Sequence, residues 1–468
     1  MGLRWLCISA LLGLCGWNSG YAQEVHISGK DPGYSGVSLR FCIQGHPFID
    51  EPIFSKTLSC DKSGAFHLIF EPASEGIIVI RAGVYEASLF IEPGKSYQVI
   101  LPQYREVSYA EKISPYFEPL RVPIKTTGNP DEINNRIYRY DSVFYRLNEE
   151  LIQARRRGGA ALADSMISLL GTLFDRSQAD WFSIHCKYKE GLLKLNEGKS
   201  GLQKISEDYL GSIVREDHPA YLELFGTMFK DFLVYYMRTP EGEGIRYNIN
   251  RSHDLDSLRT IVSSHPAVTN DTIRDLILLQ ELPPLFYRGE FHKEAILILL
   301  DSLEADPVKS EFALYAGALR DKLASLVAGY PPPSFSLTDS DGVSWSPSDF
   351  KGKYTYLMFC TPDHYGCMME YPYLMSYVSK HSEYLEVVSI MVAEYSEQVG
   401  DFMERNQYLW KALFYGGENG ILDDYLVKAF PVAYLLGPDG NIILSPAPLP
   451  SDGFEQQLFQ IMRSRGDI

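Results

Sequence analysis

Residues 354–379 read YTYLMFCTPDHYGCMMEYPYLMSYVS, and this stretch decides the architecture of the C-terminal part of the chain. Its first seven residues, Tyr354–Cys360, form an apolar run of strand length. A short loop follows, and residues 367–379 have the pattern of a helix. The stretch therefore predicts a buried strand that leads through a loop into a helix.

The residues around this stretch extend the alternation of strands and helices. The sequence predicts, in order, a strand at 385–392, a helix at 396–406, strands at 432–436 and 442–444, and a final helix at 452–463. Upstream, Pro331, Pro332 and Pro333 form a stiff linker that sets this unit apart. Strands and helices alternate first, and an antiparallel hairpin and a helix end the unit. This is the order of a thioredoxin fold.

Several motifs within residues 329–468 resemble those of the TlpA-like and AhpC/TSA-related, peroxidase-related thioredoxin-like proteins of bacterial envelopes. The matching residues are Asp341 and Gly342 in a turn after a proline-led strand, Phe350, Lys351, Gly352 and Lys353, the run Cys367, Glu370 and Pro372, and Pro431 ahead of a turn at Asp439 and Gly440. The resemblance implies a C-terminal α/β thioredoxin-like domain with redox chemistry at the helix start. The three-part layout of the whole chain also resembles exported proteins common in Bacteroidota.

The active-site motif is degenerate. In the family, two cysteines that lie two residues apart begin the helix; aligned on Glu370 and Pro372, this chain has His364 at the first position and Cys367 at the second. Disulfide exchange needs an exposed, low-pKa thiolate at the helix start, and histidine cannot form a mixed disulfide. The resemblance thus implies Cys367 and His364 as the catalytic positions, with Cys360 as the other nearby thiol.

Two further interpretations of Cys367 stay open. Peroxide-reducing relatives carry a single reactive cysteine at this position, a hydroxyl residue three places earlier and a later arginine. Here His364 stands at the hydroxyl position, and the later arginines all fall on predicted helices: Arg405, Arg463 and Arg465. In the structural interpretation, Cys367 is an inert, half-buried residue, and His364 caps the helix together with Asp363.

Phe430 and Pro431 directly precede the predicted strand at 432–436. The fold places a cis proline beside the active site at this point, so the resemblance implies that Phe430 and Pro431 form a substrate-docking edge for a protein or peptide partner. The sequence favours a binding or scaffolding role without efficient disulfide exchange. A thiol-disulfide oxidoreductase or thiol peroxidase that uses Cys367 is the alternative. No cofactor is predicted, and the cysteine spacing matches no zinc pattern.

The N-terminal residues predict export. Residues 1–22 combine Arg4, a short apolar stretch, and small residues at the two positions that a signal peptidase reads. They predict a removed signal, a mature chain that begins at Gln23, and a periplasmic or cell-envelope location. The alternative is a lipoprotein signal with a lipid anchor at Cys15.

Residues 23–105 predict a β-sandwich, because about seven short alternating strands are separated by regular turns. Cys42 and Cys60 fall near the ends of neighbouring strands. A disulfide between them and two buried free thiols are both compatible with the sequence. Five cysteines remain after removal of the signal, so at least one thiol is free or pairs between molecules.

Residues 106–328 predict an α-helical domain, in which Asn129 to Glu132 resemble a helix start. His185 and Cys186 are neighbours in the sequence but point about 100° apart on a helix, which favours structural roles for both. The whole chain carries 43 basic and 60 acidic residues, a net charge of -17, so nucleic acid is not expected as a partner.

Overall fold

The computed structural model describes residues 23–44, 52–112, 114, 117–157, 162–211, 214–215, 217–306, 310–417 and 420–468. The predicted secretion signal, with Cys15, lies outside these residues. The described residues form a sheet domain, a helical region and a C-terminal α/β domain, in that order. None of the described helices combines the length and the apolar character that crossing a membrane requires.

The N-terminal part consists of two β-sheets that share one hydrophobic core. The strands are β1 (Val25–Lys30), β2 (Ser38–Gln44), β3 (Pro52–Ser59), β4 (Ala65–Phe70), β5 (Gly76–Ala82), β6 (Tyr85–Ile91), β7 (Ser96–Ile100), β8 (Leu120–Pro123) and β9 (Lys125–Thr126). One sheet has the order β4-β1-β7-β9 and the other β3-β2-β5-β6-β8. Alternate residues along the strands of both sheets contribute to this core.

Strands β8 and β9 lie beyond residue 105, the predicted end of the sheet domain. Strand β8 pairs in parallel with β6, and β9 pairs antiparallel with β7. Each therefore covers an edge of one sheet, and the sheets extend to Thr126. Strands of four and two residues are too short to show the alternation from which a strand is predicted.

All five cysteines of the described chain are free and buried. Cys60 lies in the core between the sheets, next to the strand that carries Phe41. Cys42 follows Phe41 on β2 and points to the other face of that strand, where its Sγ lies 3.7 Å from the hydroxyl of Ser55. Of the two arrangements that the sequence left open, the structure has the free thiols.

The middle of the chain is helical and has one continuous core. Helix α1 (Tyr109–Lys112) lies between β7 and β8 and belongs to the sheet domain. The helices of the helical region are α2 (Ile133–Arg156), α3 (Ala163–Leu173), α4 (Trp181–Glu197), α5 (Leu202–Ile205), α6 (Pro219–Met228), α7 (Phe232–Tyr236), α8 (Gly244–Tyr247), α9 (Leu255–Ser263), α10 (Asp271–Leu285), α11 (Lys293–Glu304) and α12 (Ser310–Ala324). Buried Asn134 joins α2 to the sheet domain, since its side chain both accepts from and donates to the backbone of Phe90.

His185 and Cys186 have separate surroundings on α4. His185 Nε2 lies 2.6 Å from a carboxylate oxygen of Asp141 on α2. Cys186 is fully buried in the helical core, and this burial raises the pKa of its thiol to about 12. The two side chains do not form a common site.

The C-terminal part is a seven-stranded sheet with helices on both faces. Its elements are β10 (Leu337–Thr338), β11 (Ser344–Trp345), β12 (Tyr354–Cys360), α13 (Tyr365–His381), β13 (Leu385–Val392), α14 (Ser396–Arg405), β14 (Lys411–Tyr415), α15 (Ile421–Asp424), β15 (Val432–Leu436), β16 (Ile442–Ala447) and α16 (Phe454–Arg465). The strand order is β11-β10-β14-β13-β12-β15-β16. Strand β12 is parallel to β13 and antiparallel to β15.

The central strand β12 is buried along its whole length. Tyr356 and Met358 point into the core that α13 and α16 cover, and Leu357 and Phe359 point into the core on the opposite face. A strand that is buried on both faces reads as an unbroken apolar run, which explains why its bounds could be predicted from the sequence. Its carboxyl end delivers the chain to the candidate site.

Candidate functional site

The site lies where β12 ends and α13 begins. The exposed residue His364 is the N-cap of α13, with extended backbone angles of φ -82° and ψ 124°. The helix begins at Tyr365, two residues earlier than predicted. The amides of the first turn are directed toward this end of the helix and favour negative charge there.

The imidazole of His364 faces the thiol of Cys367 and does not cap the helix. Its Nδ1 lies 3.8 Å from Sγ of Cys367, and the side chain makes no capping hydrogen bond to the first turn. The structural interpretation, in which His364 acts as a side-chain cap, is therefore wrong in this detail. The imidazole ring lies instead over the first turn, where a methyl group at Gly366 would be 3.2 Å from Cε1 of His364.

Cys367 is fully buried, and not half-buried as the sequence suggested. Burial raises the pKa of its thiol to about 11, and the carboxylate of Glu370 raises it further; a backbone hydrogen bond at Thr361 acts in the opposite direction. Since the thiolate is the nucleophile, a thiol with this pKa is almost wholly unreactive at neutral pH.

Cys360 and Cys367 contribute to the same core beneath α13. Cys360 is fully buried, and burial together with the neighbouring Cys367 raises its pKa well above the usual thiol value. Tyr371 completes this group: its hydroxyl donates to the carbonyl of Thr361 at 2.8 Å and interacts with both thiols. Tyr371 lies four residues after Cys367, one helical turn along the same face of α13. That spacing is the sequence signal by which it could have been found.

Glu370 is a buried carboxylate with defined partners. Its two oxygens accept from the backbone amide of Ser451 at 2.9 Å and from the hydroxyl of Ser451 at 2.6 Å. These bonds tie α13 to the short helical turn Pro450–Asp452 that precedes α16. In this chain Glu370 thus holds the helix that carries the site.

Pro431 lies on the other side of His364. The Phe430–Pro431 peptide bond is cis. A methyl group at Gly366 would lie 3.2 Å from Cδ of Pro431 and 3.2 Å from Cε1 of His364, so these three residues meet at the helix start. The predicted docking residue and the predicted active-site histidine are therefore brought together.

The arginines that a peroxidase would require are not placed at the thiol. Arg405 is the last residue of α14, and Arg463 and Arg465 lie near the end of α16; all three are exposed. The charged group that perturbs Cys367 is the Glu370 carboxylate, which disfavours a thiolate. This geometry is opposite to that of an activated peroxidatic cysteine.

Comparison with known proteins identifies the C-terminal part. The AhpC/TSA family matches residues 328–445. A thiol-disulfide oxidoreductase ResA of Bacillus subtilis (strain 168) is 30% identical over 124 residues, which are 25% of this chain and 66% of that protein. A ResA of Bacillus cereus (strain ATCC 10987 / NRS 248) is 30% identical over 138 residues, 28% of this chain and 76% of that protein. The chain belongs to the AhpC/TSA family. It is a TlpA-like member with a thioredoxin-like C-terminal domain, as the sequence predicted.

Solved structures resemble this AhpC/TSA domain as well. The solution structure of a putative thiol-disulfide oxidoreductase from Bacteroides vulgatus is 28% identical, covers 30% of this chain and 93% of that chain, and has a TM-score of 0.27. The C-terminal domain of a putative thiol-disulfide oxidoreductase from Bacteroides thetaiotaomicron is 20% identical, covers 30% of this chain and 99% of that chain, and has a TM-score of 0.28.

We expect Tyr371→Phe to lower the free energy of unfolding by about 1–3 kcal/mol, because it leaves the carbonyl of Thr361 without its buried donor. Guanidinium unfolding followed by circular dichroism measures this change. Tyr373→Phe is the matched control on the same helix, because Tyr373 is 46% exposed and should change stability by less than about 0.5 kcal/mol. Equal stability of the two variants would show that the Tyr371 hydroxyl does not hold the site loop.

Proposed function

We propose that this protein is an extracytoplasmic member of the AhpC/TSA family that binds an extended segment of a partner protein at the thioredoxin-like site and does not exchange disulfides efficiently. One observation carries the proposal: the exposed position at the helix start is His364, whereas the thiol of Cys367 is buried, with its pKa raised to about 11. A disulfide substrate would meet an imidazole, which cannot attack it.

The surroundings of His364 favour binding. Large side chains of α13 next to it are open to solvent: Tyr365 is 73% exposed, Met368 46% and Met369 53%. Aromatic and methionine side chains adapt to varied apolar partners, and such residues are common on peptide-binding surfaces. Pro431 borders the same surface. Backbone bonding beside Pro431 and apolar contacts on α13 would together hold an extended peptide.

The proposed location rests on the sequence pattern of residues 1–22. We propose export with cleavage before Gln23, and the mature mass of the periplasmic protein tests it. A start at Cys15 with an attached lipid would replace this proposal by membrane anchoring. We further propose that the two N-terminal sheets, which share one core, form a sandwich.

A thiol oxidoreductase is the second candidate, because Cys360 and Cys367 share one core and Cys367 raises the pKa of Cys360. If the protein is an oxidoreductase, the thiols of Cys360 and Cys367 would be oxidised to a disulfide while a substrate disulfide is reduced to two thiols. Tyr371, which interacts with both, would have to move first. The burial of both thiols makes this the weaker candidate.

The test has two arms. We expect the unmodified protein to leave insulin disulfides unreduced above background, and we expect it to bind a carboxymethylated, unfolded protein saturably. We expect His364→Cys to reduce insulin at least about tenfold faster than background, since it places a thiol at an exposed helix start where thiolates are stabilised. Turbidity measures reduction, and fluorescence anisotropy measures binding.

The double variant His364→Cys with Cys367→Ser is the control, because it keeps the attacking thiol but loses the resolving one. It should form mixed disulfides without turnover. Insulin reduction by the unmodified protein that disappears in Cys367→Ser would overturn the proposal in favour of the oxidoreductase. Absence of saturable binding would overturn it as well.

A further inference from the structure

A segment of the sheet domain reaches across to the candidate site. It follows β7 and passes the turn between β5 and β6 at Arg105, whose carbonyl accepts from the amide of Val84 at 3.1 Å. The chain returns to the same residue, since the amide of Leu120 donates to the carbonyl of Val84 at 2.7 Å. A methyl group at Gly83 would lie 2.1 Å from the carbonyl oxygen of Arg105, so the turn and the base of the segment are in close contact.

The first half of this segment is held in one conformation by its own side chains. The guanidinium of Arg105 donates to both carboxylate oxygens of Glu111, at 3.2 and 2.9 Å. The same carboxylate accepts from the amide and the hydroxyl of Ser108, at 2.9 and 2.8 Å. The bonds from Ser108 and Arg105 lower the pKa of Glu111 to about 2, so the carboxylate that closes this hydrogen-bonded ring of Arg105, Ser108 and Glu111 is ionised at neutral pH. Tyr109 directly follows Ser108, so it lies within the stretch that these bonds close.

Tyr109 makes the contact with the C-terminal domain. Its hydroxyl donates to the carbonyl of Val392, the last residue of β13, at 3.1 Å. Burial raises the pKa of Tyr109, and the nearby carboxylates of Asp363 and Glu394 raise it further. Asp363 directly precedes His364. The segment therefore lies against the loop of the candidate site.

The segment and Pro431 lie on opposite sides of that loop. Strand β12, which leads into the loop, has β13 on one side and β15 on the other. Tyr109 is bound at the end of β13, and Pro431 directly precedes β15. Since β12 and β13 are parallel and β15 is antiparallel to them, the end of β13 and the start of β15 lie at the same edge of the sheet. Tyr109 and Pro431 thus flank the loop that carries His364.

We propose that Tyr109 is a positioning residue that makes the sheet domain one wall of the docking edge, so that His364 is open to an extended peptide segment and closed to the surface of a folded protein. This inference rests on the proposed function and deepens it, because it names the shape of the partner. Pro431 forms the opposite wall. A segment that lies between the two walls would contact both the sheet domain and the thioredoxin-like domain.

The experiment measures access to a reporter thiol at His364. In the full-length His364→Cys, Cys367→Ser variant, the reporter is the exposed thiol, and it is labelled with iodoacetamide and with a maleimide on a long polyethylene glycol chain. We expect Tyr109→Phe to accelerate labelling by the bulky reagent roughly fivefold, because the loss of one hydrogen bond shifts an opening equilibrium by about this factor. Labelling by the small reagent should change by less than about twofold. Arg105→Met should give the same selective increase by opening the ring at Glu111.

Tyr34→Phe is the matched control. It removes a tyrosine hydroxyl that donates to the carbonyl of Pro102 at 2.9 Å within the sheet domain, and we expect it to leave both labelling rates unchanged. If Tyr109→Phe changes neither rate, or changes both equally, the contact is ordinary packing between domains and the inference is overturned. Insulin reduction by the unmodified protein would overturn the proposed function but not the wall, so the two failures are distinguishable.

Discussion

Iodoacetamide should leave Cys42, Cys60, Cys186, Cys360 and Cys367 unmodified in the native protein and modify all five after unfolding in guanidinium. The reason is burial, which all five share. For Cys367 the effect can be estimated, because its pKa is raised to about 11. At pH 7 a thiol with this pKa is about 10⁻⁴ thiolate, against roughly 3% for an unperturbed one, so ionisation alone slows the reaction about 300-fold. Peptide mass spectrometry measures the extent of modification at each cysteine.

The pH dependence is a second check on Cys367. The thiolate is the form present above the pKa, so any residual labelling should rise about tenfold per pH unit below 11. His364→Cys supplies the comparison, since its thiol stands at an exposed position and should be labelled within the time in which the five native thiols stay intact. Rapid modification of native Cys367 at neutral pH would contradict the binding role and favour the oxidoreductase.

Arg259→Met should lower the free energy of unfolding of the helical region by about 1–3 kcal/mol, since Arg274 remains as a partner of Asp275 at 2.8 Å. The guanidinium of Arg259 on α9 lies 3.1 Å from Asp275 on α10 and 2.7 Å from Asp306 after α11. The Asp275 side chain is only 2% exposed. Methionine keeps the apolar stem but leaves buried carboxylate charge with less compensation. The unfolding midpoint in guanidinium, followed by far-ultraviolet circular dichroism, measures the change.

The control for this substitution is Arg121→Met. Arg121 also faces a carboxylate, at 3.5 Å from Glu86, but its side chain is 88% exposed. Water screens such a pair, and we expect a change below about 0.5 kcal/mol. Similar midpoints for the Arg259 and Arg121 variants would mean that the buried cluster joining α9, α10 and the end of α11 does not stabilise the helical region.

The strands that are buried on both faces could be predicted from the sequence. The predicted bounds of β12, β13 and β15 coincide with the structure because an unbroken apolar run has a clear beginning and end. The start of α2 was less well predicted. Asn129 accepts from the amide of Asp131 and so closes a turn, and Glu132 caps the helix that begins at Ile133. The local sequence was compatible with a helix capped at Asn129 and with one capped at Glu132.

Only part of the candidate site could be predicted from the sequence. Alignment on Glu370 and Pro372 predicted that His364 and Cys367 lie at the helix start, and in the structure His364 is the N-cap of α13 and Cys367 lies in its first turn. The burial of Cys367 follows from the packing of α13 on the sheet, which no local pattern encodes. The hydrogen bond between Tyr109 and Val392 could not be predicted, because the two residues are 283 positions apart in the chain and no local pattern links them.

The edge strands β8 and β9 also make the pairing of two strands depend on residues much later in the chain. Strands β6 and β7 pair with residues 120–126, which lie beyond the predicted end of the sheet domain at residue 105. A sheet domain that ended there would present β6 and β7 as edge strands, with unpaired amides and carbonyls through which strands of different chains associate. Residues 120–126 thus protect β6 and β7 from such association, while β3 and β4 remain the edge strands on the other side of each sheet.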